Sequence, residues 1–141
     1  MAPSLGVEIT PIDVQNAVQI EHDVNAFARS SESGLVVTSS TNGVVFRKSI
    51  VALAARLKLP AVYAQPEYVR GGGLMSYSAD FLAQLRAAAG YVDRILKGEK
   101  PSELPVQAPT NYELMINLKT AKEIGLTMPP QLLAVADEVI E

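Results

Sequence analysis

Short apolar runs alternate along this chain with longer stretches of helical spacing, and that rhythm predicts an α/β fold. Val7, Ile9, Ile12 and Val14 alternate with polar residues around Pro11, the pattern of a strand that a proline confines to a sheet edge. Ala17, Ile20, Val24, Phe27 and Ala28 then repeat at helical spacing as far as Arg29, with Asp13 or Asn16 as the cap, and serines with Gly34 end the helix. Leu35-Val36-Val37 is an unbroken apolar run, expected to be a strand buried on both faces. Thr38 to Gly43 reads as a hydroxyl-rich loop. Phe46, Ile50, Leu53, Ala54 and Leu57 mark the next helix, and Leu59-Pro60 resets the chain into a second buried strand, Ala61 to Ala64, ending at Gln65 to Tyr68.

The second half is organised around residues 70–98. Gly71, Gly72 and Gly73 permit a sharp turn or a hinge, so residues 70–78 are read as a hinge and crossover segment with a short strand from Leu74 to Tyr77. The longest helix follows, with Phe81, Leu85, Ala88, Val92, Ile95 and Leu96 on one stripe, Ser78 or Asp80 as cap, and Gly98 in the place of a left-handed terminal residue. Residues 99–111 read as an extended, proline-bearing connector. Leu114-Met115-Ile116 predicts another strand, Thr120 caps a short helix ending at Gly125, and Pro129-Pro130 opens a last helix bearing Leu132, Leu133, Ala136, Val139 and Ile140. The order strand, helix, strand, helix, strand predicts one domain over residues 1–141, a parallel sheet with helices on both faces.

Composition narrows the function classes. Apolar residues at 48% and charged ones at 19% are those of a folded chain, and a net charge of −3 with no basic cluster argues against nucleic acid or an anionic membrane as partner. With no cysteine and a single histidine, His22, which points away from the apolar stripe of its helix, neither a metal site nor a thiol nucleophile is expected. Ser39, Ser40 and Ser76 lack a nucleophile elbow and a histidine partner, so hydrogen bonding is their expected role and no enzyme activity or cofactor is predicted. The glycine run precedes a strand instead of following one, which removes the context of a phosphate loop. Ser76, Tyr77, Ser78 and Asp80 crowd polar groups where strand meets helix, a usual place for ligand contacts in α/β proteins. The first residues carry no basic stretch leading into an apolar core, so no secretory signal is read there.

Several stretches in series carry a resemblance: Leu59-Pro60-Ala61-Val62-Tyr63, Gly72 to Tyr77, Tyr91 to Pro101, Leu104 to Gln107, Ile116 to Lys122 and Ala136 to Glu141. In order, over nearly the whole chain, they resemble the C-terminal half of ABC-transporter substrate-binding proteins of the tryptophan/tyrosine type. Ser78 departs from the family's glycine, and the family's N-terminal half with its signal or lipoprotein peptide has no counterpart in this sequence. The resemblance implies one lobe of a type I periplasmic-binding-protein fold, a bacterial solute-binding component working in the periplasm or cell envelope. Two lobes would close on a small molecule, such as an aromatic or other amino acid, before docking on an ABC permease. On this lobe it implies ligand contacts from Ser39, Ser40, Thr41, Gln65, Glu67, Ser76 and Tyr77, with Gly71, Gly72 and Gly73 as hinge. It further implies that the helix from Phe81 to Lys97 packs on the other lobe, so the isolated chain is expected to form a homodimer through it. The alternative is a stand-alone α/β protein-interaction domain without transport.

Overall fold

The computed structural model describes residues 6–28 and 33–141. Its centre is a five-stranded sheet in the spatial order β1 (Leu35–Val37), β2 (Ala61–Tyr63), β3 (Met75–Ala79), β4 (Tyr112–Asn117) and β5 (Glu138–Ile140). Leu35 pairs with Ala61 and Tyr63 with Ser76 in parallel, as does Ile116 with Val139. The β3–β4 pair is antiparallel, with Ser76 opposite Met115 and Ala79 opposite Tyr112. The sheet is therefore mostly and not wholly parallel. After β3 the chain leaves the sheet and returns at the same edge, where Asp80 donates its amide hydrogen to the Asn111 carbonyl at 3.0 Å, so β4 must run back alongside.

Helices α1 (Ala17–Phe27), α2 (Thr41–Val45), α3 (Arg47–Arg56), α4 (Pro66–Arg70), α5 (Phe81–Leu96), α6 (Leu118–Ile124) and α7 (Pro130–Leu133) complete the α/β fold. The main core joins Ile20 and Val24 of α1 to Ile50, Val51, Leu53 and Ala54 of α3, with Ala61 and Tyr63 from the sheet and Tyr68 and Val69 from α4. Tyr63 and Tyr68 stack at its centre, ring centroids 4.7 Å apart. Leu74, Ala121 and Ile124 form a smaller cluster under α6.

Several expected elements differ. Residues 7–14 form no strand: Pro11 lacks a ladder donor, and Ile12 and Val14 instead lean on the main core. Val36 is 79% exposed between half-buried Leu35 and Val37, so the outermost strand β1 is covered on one face and not on both. Pro66 sits in the first turn of α4, an element the loop-like reading of Gln65 to Tyr68 passed over. The cap of α6 is Asn117, whose side chain accepts from the Thr120 amide at 3.1 Å. The last helix stops at Leu133, and Val139 and Ile140 belong to β5. The expected end of the first helix, Arg29 to Glu32, lies outside the described residues.

One element stands apart from this packing. None of the residues of α5 is buried, and Phe81, Leu82 and Leu96 are 68%, 60% and 81% exposed. The helix is well formed locally: the Asp80 carboxylate accepts from the Ala83 amide at 2.9 Å, and Gly98 takes a positive φ of 100° just beyond its end. Its other ties are to its own connector. Tyr91 donates its hydroxyl hydrogen to the Pro105 carbonyl, and Arg94 pairs with Glu99, whose carboxyl that hydrogen bond holds below the usual range. Residues 80–111 thus form an arm that holds its own shape beside the sheet.

Candidate functional site

Strand polarity gathers the polar groups at one end of the sheet. Because β1, β2 and β3 are parallel, their C-terminal ends share an edge, and because β4 runs against β3, both β4 and β5 begin at that edge. In open α/β sheets ligands bind beyond the carboxyl ends of the strands.

Ser39, Ser40 and Thr41 follow β1 and are exposed. Ser40 caps α2, its Oγ accepting from the Gly43 amide at 2.9 Å, and Gly43 is buried so tightly that a Cβ there would lie 3.1 Å from the Tyr68 hydroxyl. Gln65 follows β2 at the N-cap position of α4 without using its side chain as a cap. Glu67, in the first turn of α4, lies 3.7 Å from Arg70, which lies 3.3 Å from Glu138. The pleat sends Ser76 and Tyr77 to opposite faces of β3. Ser76 is buried, whereas Tyr77 is exposed and stacks on Tyr112 with centroids 5.3 Å apart.

On the Ser76 face the strand ends enclose a cavity of about 160 Å³, lined by Pro66, Arg70, Ser76, Ser78, Glu113, Leu114, Met115, Asp137 and Glu138. Register explains the company: Ser76 opposes Met115, which opposes Glu138, and Ser78 opposes Glu113. Asp137 is fixed by accepting the Leu114 amide hydrogen at 2.8 Å. Of the ligand contacts the resemblance implies, Ser76 lines this cavity, joined by Ser78 of the polar cluster where strand meets helix; Ser39, Ser40 and Thr41 stand across the sheet at β1. Arg70, Glu113, Asp137 and Glu138 were not singled out, since nothing local in the sequence marks them and only the pairing of β4 and β5 with β3 brings them together.

The three glycines lie at the other end of β3, in the turn from α4. Gly72 has a φ of 101° and its carbonyl accepts from the Thr120 hydroxyl at 2.9 Å. A Cβ on Gly73 would lie 2.6 Å from the Tyr63 ring and 2.8 Å from the Tyr68 carbonyl. Close packing accounts for Gly73 and a left-handed φ for Gly72, and residues 75–78 are paired in the sheet; the chain crosses out of and back into it just beyond, at Asp80 and Asn111.

Elsewhere the chemistry is quiet. His22 has a side chain 76% exposed and sits 3.0 Å from Asp23, whose carboxyl is held below its ordinary range chiefly by the Gln19 amide and then by His22. Among the described residues no cluster of histidines and carboxylates is arranged to hold a metal, and no helix is long and apolar enough to cross a membrane.

A family model described as ABC transporter substrate binding protein matches residues 1–140. Among solved structures, a conserved domain protein from Vibrio cholerae O1 biovar El Tor str. N16961 is similar at a TM-score of 0.85 and 24% identity, over 98% of this chain and 46% of that one. The ABC domain from Streptococcus pneumonia in complex with L-Trp is similar at 0.82 and 27% identity, over 99% and 48%. A ligand-free, open substrate-binding protein with adhesive properties from Clostridium difficile follows at 0.71 and 16%, over 99% and 46%. The chain spans about half the length of each of these structures. Comparison with curated proteins finds no match.

Proposed function

We infer, since this chain belongs to the ABC transporter substrate-binding protein family, that it is one jaw of a two-lobed trap that captures a small solute for uptake. The observation that carries this reading is a polar strand-end edge beside an arm whose apolar face is left uncovered by the described residues, in a chain half as long as its solved relatives. The solute we favour is an amino acid, by analogy with the L-Trp complex of the pneumococcal relative. The second jaw closes over the strand ends by turning about the crossings at Asp80 and Asn111. The hydroxyls of Ser39, Ser40 and Thr41, the Gln65 amide, Glu67 and Ser76 then hydrogen-bond the solute, and Tyr77 stacks beside it. Capture needs no bond made or broken. The closed form would dock on an ABC permease, which sets the work of the complete protein on the outer side of the cytoplasmic membrane.

A thermal-shift screen of this chain, and of a version extended by a first lobe, against amino acids and other small solutes tests the reading. Stabilisation confined to the extended version is the expected result. Strong stabilisation of the short chain alone would mean that it holds a complete site, and no stabilisation of either by any solute would remove the capture role.

In isolation, we propose, α5 lays its apolar face against α5 of a second copy, because so large an apolar stripe is costly in water. Sedimentation at micromolar concentration should then give the mass of a dimer, and a monomer would refute it.

A further inference from the structure

The outer edge of the sheet, along β1, presents a definite row of backbone donors and acceptors. Leu35 donates its amide hydrogen to the Pro60 carbonyl at 2.8 Å, and the Val37 carbonyl accepts from the Ala64 amide at 3.0 Å, so both residues turn these groups toward β2. A trans peptide points its N–H and its C=O to opposite sides, and residues of a strand alternate in the side they turn to a neighbour. The Gly34 carbonyl, the Val36 amide hydrogen, the Val36 carbonyl and the Thr38 amide hydrogen therefore point away from β2, and no strand among the described residues takes them. Charge and proline blunt such edges in many sheets, but residues 33–46 carry neither. Val36 adds an apolar side chain that is 79% exposed.

We propose that β1 pairs with β1 of a second copy of this chain, antiparallel about a two-fold axis at Val36. Along the edge the groups run acceptor, donor, acceptor, donor, and the same row reversed sets every donor against an acceptor. The two Val36 residues exchange both backbone bonds, and each Thr38 amide hydrogen goes to the other copy's Gly34 carbonyl. Their side chains then lie directly opposite on one face, as β-branched cross-strand pairs do. A copy suits this edge because β1 is only three residues long and its copy ends where it ends. The uncharged flanks let the two approach without like-charge repulsion. The pairing joins two five-stranded sheets into one. It rests neither on the solute-capture reading nor on α5, which leaves the sheet after β3. So few backbone bonds make a weak contact, one that forms at about millimolar concentration and leaves the mass at micromolar concentration unchanged.

The test is NMR on a mixture of differently isotope-labelled copies that carry Leu85→Lys and Val92→Lys, so that α5 makes no contact of its own. At about 1 mM, cross-peaks from Val36 of one copy to Val36 of the other are expected, with exchange of the Val36 and Thr38 amide hydrogens slowed about five-fold. Both signs should fade on dilution into the micromolar range. Val36→Lys sets like charges directly opposite each other, and Val36→Pro deletes the outward donor at an edge position where proline is tolerated. Each should abolish the concentration dependence while unfolding at the parent's midpoint, and Val36→Ile should preserve it. Spectra and exchange rates that do not change with concentration would overturn the pairing. So would a concentration dependence that survives Val36→Lys, or cross-peaks that join Val36 to residues 7–10 of the other copy in place of its Val36.

Discussion

Gly73 is the residue with the least freedom to change. A methyl group there would press on the Tyr63 ring at 2.6 Å and on the Tyr68 carbonyl at 2.8 Å, at the centre of the stacked pair. Gly73→Ala should therefore cost about 2 kcal/mol, the usual penalty of overpacking, measured by urea unfolding. An unchanged midpoint would show that the turn yields. Ser76 predicts the opposite sign. Its unpaired hydroxyl is a burden on folding, so Ser76→Ala should leave stability unchanged or raise it by about 1 kcal/mol. Burial pushes the Tyr63 phenol far above its ordinary 10.0 and raises Tyr68 in the same direction. Above pH 10 the unfolded chain loses these protons while the folded one keeps them, so their contribution is whole below that value and falls as pH rises past it. Tyr63→Phe should flatten the decline between pH 10 and 12 in denaturation curves; a slope equal to the parent's would exclude Tyr63 as its source.

The arm and the body behave as separate kinds of element. Removing the α5 cap with Asp80→Ala should lower the stability of that helix by about 1 kcal/mol, read as faster hydrogen exchange in residues 81–96 with little change in α3. Leu85→Lys with Val92→Lys should shift unfolding of the body by less than about 0.5 kcal/mol, since both side chains are exposed, while abolishing self-association. Loss of the folded body would mean that α5 supports it. Such elements differ in how plainly the sequence announces them. α1, α3 and α5 could be read from their apolar spacing and from Asn16, Asp80 and Gly98, because capping is local chemistry. α4 could not, since its one turn is too short to show a period, and Val139 and Ile140 continue a helical spacing that tertiary pairing with β4 overrides. The site divides the same way. Ser76 could be found as a hydroxyl at a strand end, but Glu113, Asp137 and Glu138 reach it through strand register, which no local pattern records.

At the scale of the molecule, the two crossings carry a consequence for what the chain tolerates. Asp80 and Asn111 are joined by one amide hydrogen bond at 3.0 Å, and Ala79 and Tyr112 are already paired across the antiparallel ladder. The path between them is thus an excursion from what is topologically a hairpin. Replacing residues 80–111 by Asn-Gly, a pair suited to a tight hairpin turn, should leave a body that still unfolds cooperatively and keeps β3 against β4. A shortened chain without near-native circular dichroism would show that the excursion is needed for folding. If it folds, the strand ends left at Ala79 and Tyr112 become a socket. A fluorescent reporter, or the corresponding arm of a relative, could be spliced in there without disturbing the frame, and a graft that senses strain at that point would turn jaw closure into an optical signal.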